Sequence, residues 1–146
     1  MSAGAPSSYR IFDLAGPGSL SAELRVAWQA ALERQRFRGG IVSPFLGPSI
    51  AATIAGERLD VKVIVGFDGD EPRRFLPVHV SGRGKARPLG DRLCDVHGPV
   101  GLSDADGFRE MLVGAGLRSW SFRRCPQRDV LAPSSVFAET SSHVIR

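Results

Sequence analysis

The sequence predicts an α/β fold of the α+β kind: a mostly antiparallel central sheet flanked by about three helices. Three observations carry that expectation. Leu20, Leu24, Trp28 and Leu32 step by four, with Ala27 and Ala31 beside them, which is the period of an amphipathic helix. Val61, Val63, Val65 and Phe67 alternate with Lys62, Ile64 and Gly66, and an apolar run at 75–80 returns after the turn cluster Asp68-Gly69-Asp70-Glu71-Pro72. Residues 61–80 therefore read as a hairpin. Finally, 17 glycines and 10 prolines in 146 residues cut the chain into short elements.

Taken in order, the opening residues are small and polar. Residues 1–9 read as a disordered tail and 10–146 as the domain, with a weak strand pattern from Tyr9 to Leu14 at the junction. Ser19 is placed to cap the first helix, Glu23 complements its first turn, and Gly39-Gly40 ends it. Pro48 suits the first position of a short second helix, because its missing N–H would be unpaired there anyway. Ile50, Ala51, Ile54 and Ala55 give that helix an apolar face. Pro77 cannot donate to a strand ladder, so it predicts an edge position or a bulge in the returning strand. Lys85 to Leu89 is a third strand after a turn at 81–84. Ser103 is placed to cap a helix through Phe108, Met111 and Leu112, which Gly114 and Gly116 end. Leu117, Trp120 and Phe122 start another strand, and 136–138 and 143–145 resemble strand ends.

At 15.7 kDa the chain has the size of one domain and can bury a core without a disulfide or metal staple. With 42% apolar and 23% charged residues it is neither collagen-like nor wholly disordered, and two cysteines make no disulfide scaffold. Cys94 and Cys125 lie far apart in no CxxC pattern, so a reducing cytosol is the simplest compartment and the expected localisation is cytoplasmic. The start has no basic and apolar leader pattern, and no run approaches the ~20 apolar residues of a spanning helix, so no membrane span is expected. A net charge of +4 permits anionic partners without requiring them.

Three groups of residues are candidates for chemistry. Asp95 and His97 lie two apart in a glycine-bounded loop, where the carboxylate can orient an imidazole for proton transfer; alternatively, Asp95 braces the loop and His97 packs beneath it. Arg73, Arg74, Arg83, Lys85, Arg87 and Arg92 face only Asp91 within 73–92, a composition suited to an anion such as phosphate or to a solvated basic face. Arg118, Arg123, Arg124 and Arg128 flank Trp120, where outward charges on a strand are the simpler explanation. Aromatic interleaving is poor and no helix-turn-helix or zinc-finger spacing occurs, so nucleic acid is not an expected partner. His79 reads as a partnered strand residue and His143 has no companions, so no metal ligands are assigned. Neither GxxxxGK[ST] nor GxGxxG is present.

From Ser43 onward the order of features resembles a known family. Pro44-Phe45-Leu46-Gly47-Pro48 is similar to its "NPFLSP" lead into a helix. Phe75-Leu76-Pro77-Val78-His79 is similar to its "GFLPL" strand, and Arg87-Pro88-Leu89-Gly90 with Asp95-Val96-His97-Gly98-Pro99 to its "RPLG…SDYHGP" segment. The later helix, the strand with Trp120, and Ser142-His143-Val144-Ile145 keep the same order. The family is the CelD/BcsL-like group of GNAT-related acetyltransferases of cellulose and exopolysaccharide biosynthesis, and the likeness covers about residues 10–146.

Members of that family are longer and resemble tandem GNAT-like halves, as in the FemAB aminoacyltransferases. The resemblance implies that this chain is the N-terminal, acceptor-side half-domain. The acyl-CoA loop of the kind Q/R-x-x-G-x-G/A belongs to the second half and has no counterpart here; Arg36-Phe37-Arg38-Gly39-Gly40-Ile41 comes nearest but ends in Ile and follows a helix. Acetyl-CoA is thus the cofactor of the full architecture and not of this chain. The expected partners are a second GNAT-like half or another copy of this chain, with a glycan or nucleotide-sugar acceptor contacted by Arg87, Asp95 and His97. No catalytic residue is assigned. The other class of function left open is a non-catalytic interaction or scaffold module without a small-molecule site.

Overall fold

The computed structural model describes residues 7–16, 20–39, 42–90, 98–102 and 105–121. Its fold is α+β, with five strands in one mixed sheet and three α-helices. The strands are β1 Ser7–Asp13, β2 Val61–Asp68, β3 Glu71–Val80, β4 Lys85–Pro88 and β5 Ser119–Trp120, and they lie in the sheet in that order. The helices are α1 Ala22–Phe37, α2 Pro48–Ala55 and α3 Ala105–Gly114; a 3-10 turn at Pro44–Leu46 leads into α2. Pairing is antiparallel from β1 through β4, and β5 joins β4 in parallel after α3.

The alternation in the sequence becomes two cores, one on each face of the sheet. Val61, Val63, Val65 and Phe75 meet Trp28, Ala31 and Leu32 of α1 and Ala51 and Ala55 of α2. Ile64, Leu76, Val78 and Ala86 meet Phe108, Met111 and Leu112 of α3, with Trp120 at the far edge. Most of β2, and β3 from Phe75 on, are covered on both sides, which is why those stretches are largely apolar. Phe108 and Trp120 meet edge to face, 5.0 Å apart.

Helix boundaries follow local chemistry. The N-cap of α1 is Ser21, whose hydroxyl accepts from the Leu24 N–H at 3.2 Å; it sits two residues after the expected Ser19, which lies outside the described residues. Pro48 is the first residue of α2, as its missing donor requires. Ser43 caps the 3-10 turn through Phe45 N–H. Gly116, at φ 74°, closes α3, and its N–H donates to Val113 O.

Three expectations change. β1 begins at Ser7, inside the segment 1–9 expected to be a tail, because its backbone pairs with β2 as far as Ser7↔Asp68. β3 begins at Glu71, so Pro72 belongs to the strand and not the turn. Pro77 lies in a central strand, and the bulge of that strand falls not at Pro77 but at Arg73, which is passed over where Gly66 and Phe67 of β2 pair with Arg74 and Pro72. The odd-numbered backbone positions of β3 face away from β2, as the reciprocal Phe75–Val100 bonds of 2.9 and 2.8 Å show. The β4 ladder starts only at Val78↔Pro88. Pro77 therefore occupies the gap between the Val100 bridge and β4, where β3 is locally an edge and no ladder donor is required. The strand ends expected at 136–138 and 143–145, and Phe122, lie outside the described residues.

Candidate functional site

The hairpin register builds a polar cluster at the end of the sheet nearest α2. Val61 opposes His79, and His79 opposes Arg87, so a residue just before β2 lies within reach of side chains from β3 and β4. That residue is Asp60. Its backbone carbonyl accepts from Val80 N–H at 3.0 Å, which fixes the turn. Its carboxylate receives Arg58 at 3.1 and 2.9 Å and His79 Nδ1 at 3.1 Å, and Arg87 stands 3.7 Å away.

His79 is 2% exposed, whereas Asp60, Arg58 and Arg87 reach solvent. The imidazole has two structural bonds: Nδ1–H donates to Asp60, and Nε2 accepts from the Gly90 N–H at 3.4 Å. This pattern fixes the neutral Nδ1–H tautomer, because a protonated Nε2 would have no lone pair for Gly90. Burial holds the His79 pKa below its ordinary value despite the neighbouring carboxylate, and Arg58 and Arg87 push the same way. For Asp60, burial favours the neutral acid, but hydrogen bonds from His79 and Arg58 and the Arg58 charge outweigh it and lower the pKa. The cluster thus combines a neutral, tautomer-locked imidazole with an ionised carboxylate. It ties the α2–β2 turn, β3 and the exit of β4 together, and both ring nitrogens are committed to that task.

The residues expected to form a site are distributed as follows. Arg87 stands half-exposed in β4 beside Asp60. Asp95, His97, Cys94 and Arg92 lie outside the described residues, as do Arg123, Arg124, Cys125, Arg128 and His143. The basic run 73–92 does not form one patch. Arg73 and Arg74 stand at the start of β3, paired with Glu71 and Asp68 respectively, while Arg87 lies by the other end of that strand. Six residues of extended chain between positions 73 and 79 separate the two groups by about 20 Å. Arg118 packs against the β3–β4 turn, its N–H donating to Gly84 O at 2.8 Å.

Arg58 and Asp60 were not singled out from the sequence. The signal available was indirect: if 61–80 is a hairpin, the residue preceding Val61 must lie near the residues that end the return strand. Among the described residues no group of three His, Cys, Asp or Glu side chains could hold a metal, and no helix is long and apolar enough to cross a membrane. No family model, curated protein or solved structure matches this chain.

Proposed function

We propose that the chain is the acceptor-side half-domain of a GNAT-type acetyltransferase of polysaccharide biosynthesis, acting with a second GNAT-like half or another copy of itself that supplies the acyl-CoA grip. The observation that carries this reading is where the family-like segments fall. The Pro44–Pro48 segment forms the 3-10 turn and start of α2, Phe75–His79 lies in β3, and Arg87-Pro88 closes β4. These stretches are neighbours: Leu46 O accepts from Trp28, Trp28 stacks on Phe75, and His79 faces Arg87 across the ladder. Segments that resemble the family in order along the sequence thus lie next to one another in the fold, which supports the reading.

In this reading Arg87 supplies paired guanidinium donors to an acceptor phosphate or carboxylate. Asp95 and His97, seven residues beyond Pro88 and onward, contact acceptor hydroxyl or amine groups. Acyl transfer also needs backbone N–H groups to hold a pyrophosphate and a donor for the thioester carbonyl. The sequence has no recognisable loop for the former, so the transferring half is assigned to the partner. β1 pairs on one side only among the described strands, which leaves an edge for such a partner.

Thermal-shift titration tests the proposal. A nucleotide-sugar at saturating concentration raises Tm, and Arg87→Ala abolishes the rise, while acetyl-CoA alone leaves Tm unchanged. If neither ligand moves Tm, with or without a co-expressed second half, the reading as an interaction module takes its place.

A further inference from the structure

We infer that the cleft between the last turns of α1 and the start of β3 is a binding site for a phosphate dianion, free or carried as a phosphomonoester. This site is separate from the Asp60–His79–Arg87 cluster and does not depend on the acyltransferase reading. The cleft has a volume of about 490 Å³, the size of a small-molecule pocket. Arg34 comes to it from α1 and Arg38 from the C-cap of that helix, Glu71, Arg73 and Arg74 from the start of β3, and Asp68 from the end of β2.

The charge balance identifies the ligand class. Glu71 receives Arg73 at 2.7 Å and Asp68 receives Arg74, so both carboxylates are already engaged. Arg34 and Arg38 make no ion pair among the described residues. Two positive charges are left over, which matches a dianion and exceeds what a single carboxylate neutralises. Spaced four apart, Arg34 and Arg38 share one side of the helix and can present their planar forks together. Basic residues in a last helical turn also complement the helix dipole. That role does not require a facing arginine from another element, and Arg73 supplies one.

The cleft is also built on fixed backbone. Gln35, between the two helical arginines, accepts the Gly101 N–H at 3.1 Å. Gly101 has φ +85°, and a Cβ there would lie 2.4 Å from Arg73 O. Segment 98–102, α1 and β3 are therefore locked together under the arginines, and a concave, fixed arrangement of like charges concentrates potential more than an open basic surface does.

Isothermal titration of the full chain with inorganic phosphate at low ionic strength tests the site, with a hexose 1-phosphate as a second arm. Binding is expected in wild type and is weakened at least about tenfold in the double variant Arg34→Ala/Arg38→Ala, since each removes a charge-assisted contact. The control Arg25→Ala/Arg109→Ala removes the same charge from exposed positions on α1 and α3 and leaves affinity within about twofold. Tighter binding of the hexose phosphate assigns a phosphomonoester ligand, and equal binding assigns the free ion. No heat with either ligand, or equal losses in the two double variants, overturns the inference; retained circular dichroism and Tm exclude misfolding, because all four arginines are surface residues.

Discussion

Trp28 and Phe75 stack with ring centroids 5.8 Å apart and planes 4° from parallel, while Trp28 Nε1 donates to Leu46 O at 2.8 Å. One fully buried side chain thus fastens α1 to β3 by stacking and to the lead-in of α2 by a hydrogen bond. Trp28→Ala removes both and leaves a cavity, at a cost of about 3–5 kcal/mol. Trp28→Phe keeps most of the apolar contact but strands the Leu46 carbonyl, for about 1–3 kcal/mol. Urea unfolding of both variants checks the order. A Phe variant as damaging as Ala would mean that the hydrogen bond, and not the stack, dominates.

The Asp60–His79 pair predicts acid sensitivity in two windows. The native His79 pKa is lowered from 6.5, so below that value the unfolded chain binds a proton that the folded chain resists. Stability therefore falls as pH drops from about 6.5 toward the depressed native value. The native Asp60 pKa is lowered from 3.8, so its contribution is present above that value and is lost as pH falls further. Both effects have the same sign. Urea midpoints measured between about pH 7.5 and about pH 5 should decline in wild type and decline less in His79→Gln, which has no titrating ring. Equal slopes would show that His79 does not sense this range.

Ser21 is a small, isolated contribution. Its hydroxyl satisfies one otherwise unpaired donor at the start of α1. Ser21→Ala should cost about 1 kcal/mol, and Ser21→Asp should restore or exceed the wild-type value because the added charge also suits the helix N-terminus. Chemical denaturation of the two variants decides the matter; an Asp variant no better than Ala would contradict the cap assignment.

The helical stripe around Trp28 and the alternation from Val61 were legible because each reports a period that only one kind of element satisfies. The pairing of β2 with β3 was legible for the same reason. Local strand patterns could not reveal that β1 is held against β2 across two intervening helices, so its first residues were read as tail. Pro77 marks a local edge inside a central strand: a missing donor is harmless wherever one side of a strand is unpaired, and that depends on where β4 begins. Asp60 escaped notice because its meaning lies in register: nothing in Arg58-Leu59-Asp60 announces a buried imidazole 19 residues later. The arginines of 73–92 looked like one patch in sequence, yet an extended strand carries them to different places. Arg34 and Arg38 look like ordinary surface residues of a helix until β3 supplies the facing charge.

Gly101 and Gly116 separate two costs of adding a methyl group. Both have positive φ, +85° and +74°, so Gly→Ala meets a conformational penalty of about 1–2 kcal/mol at either site. At Gly116 nothing lies within 4 Å of the added Cβ, so that penalty is the whole effect. At Gly101 the Cβ would sit 2.4 Å from the backbone oxygen of Arg73, which is held in β3 and cannot swing aside. Segment 98–102 must then move, which strains the Phe75–Val100 bridge and the Gln35 bond to Gly101. Gly101→Ala should therefore destabilise by at least about 1 kcal/mol more than Gly116→Ala, because buried backbone hydrogen bonds are lost as well. It should also weaken phosphate binding in the adjoining cleft, which Gly116→Ala leaves alone. Paired urea titrations and phosphate calorimetry on the two variants measure both differences. Equal destabilisation would mean that the close approach of Gly101 to Arg73 is relieved at no cost.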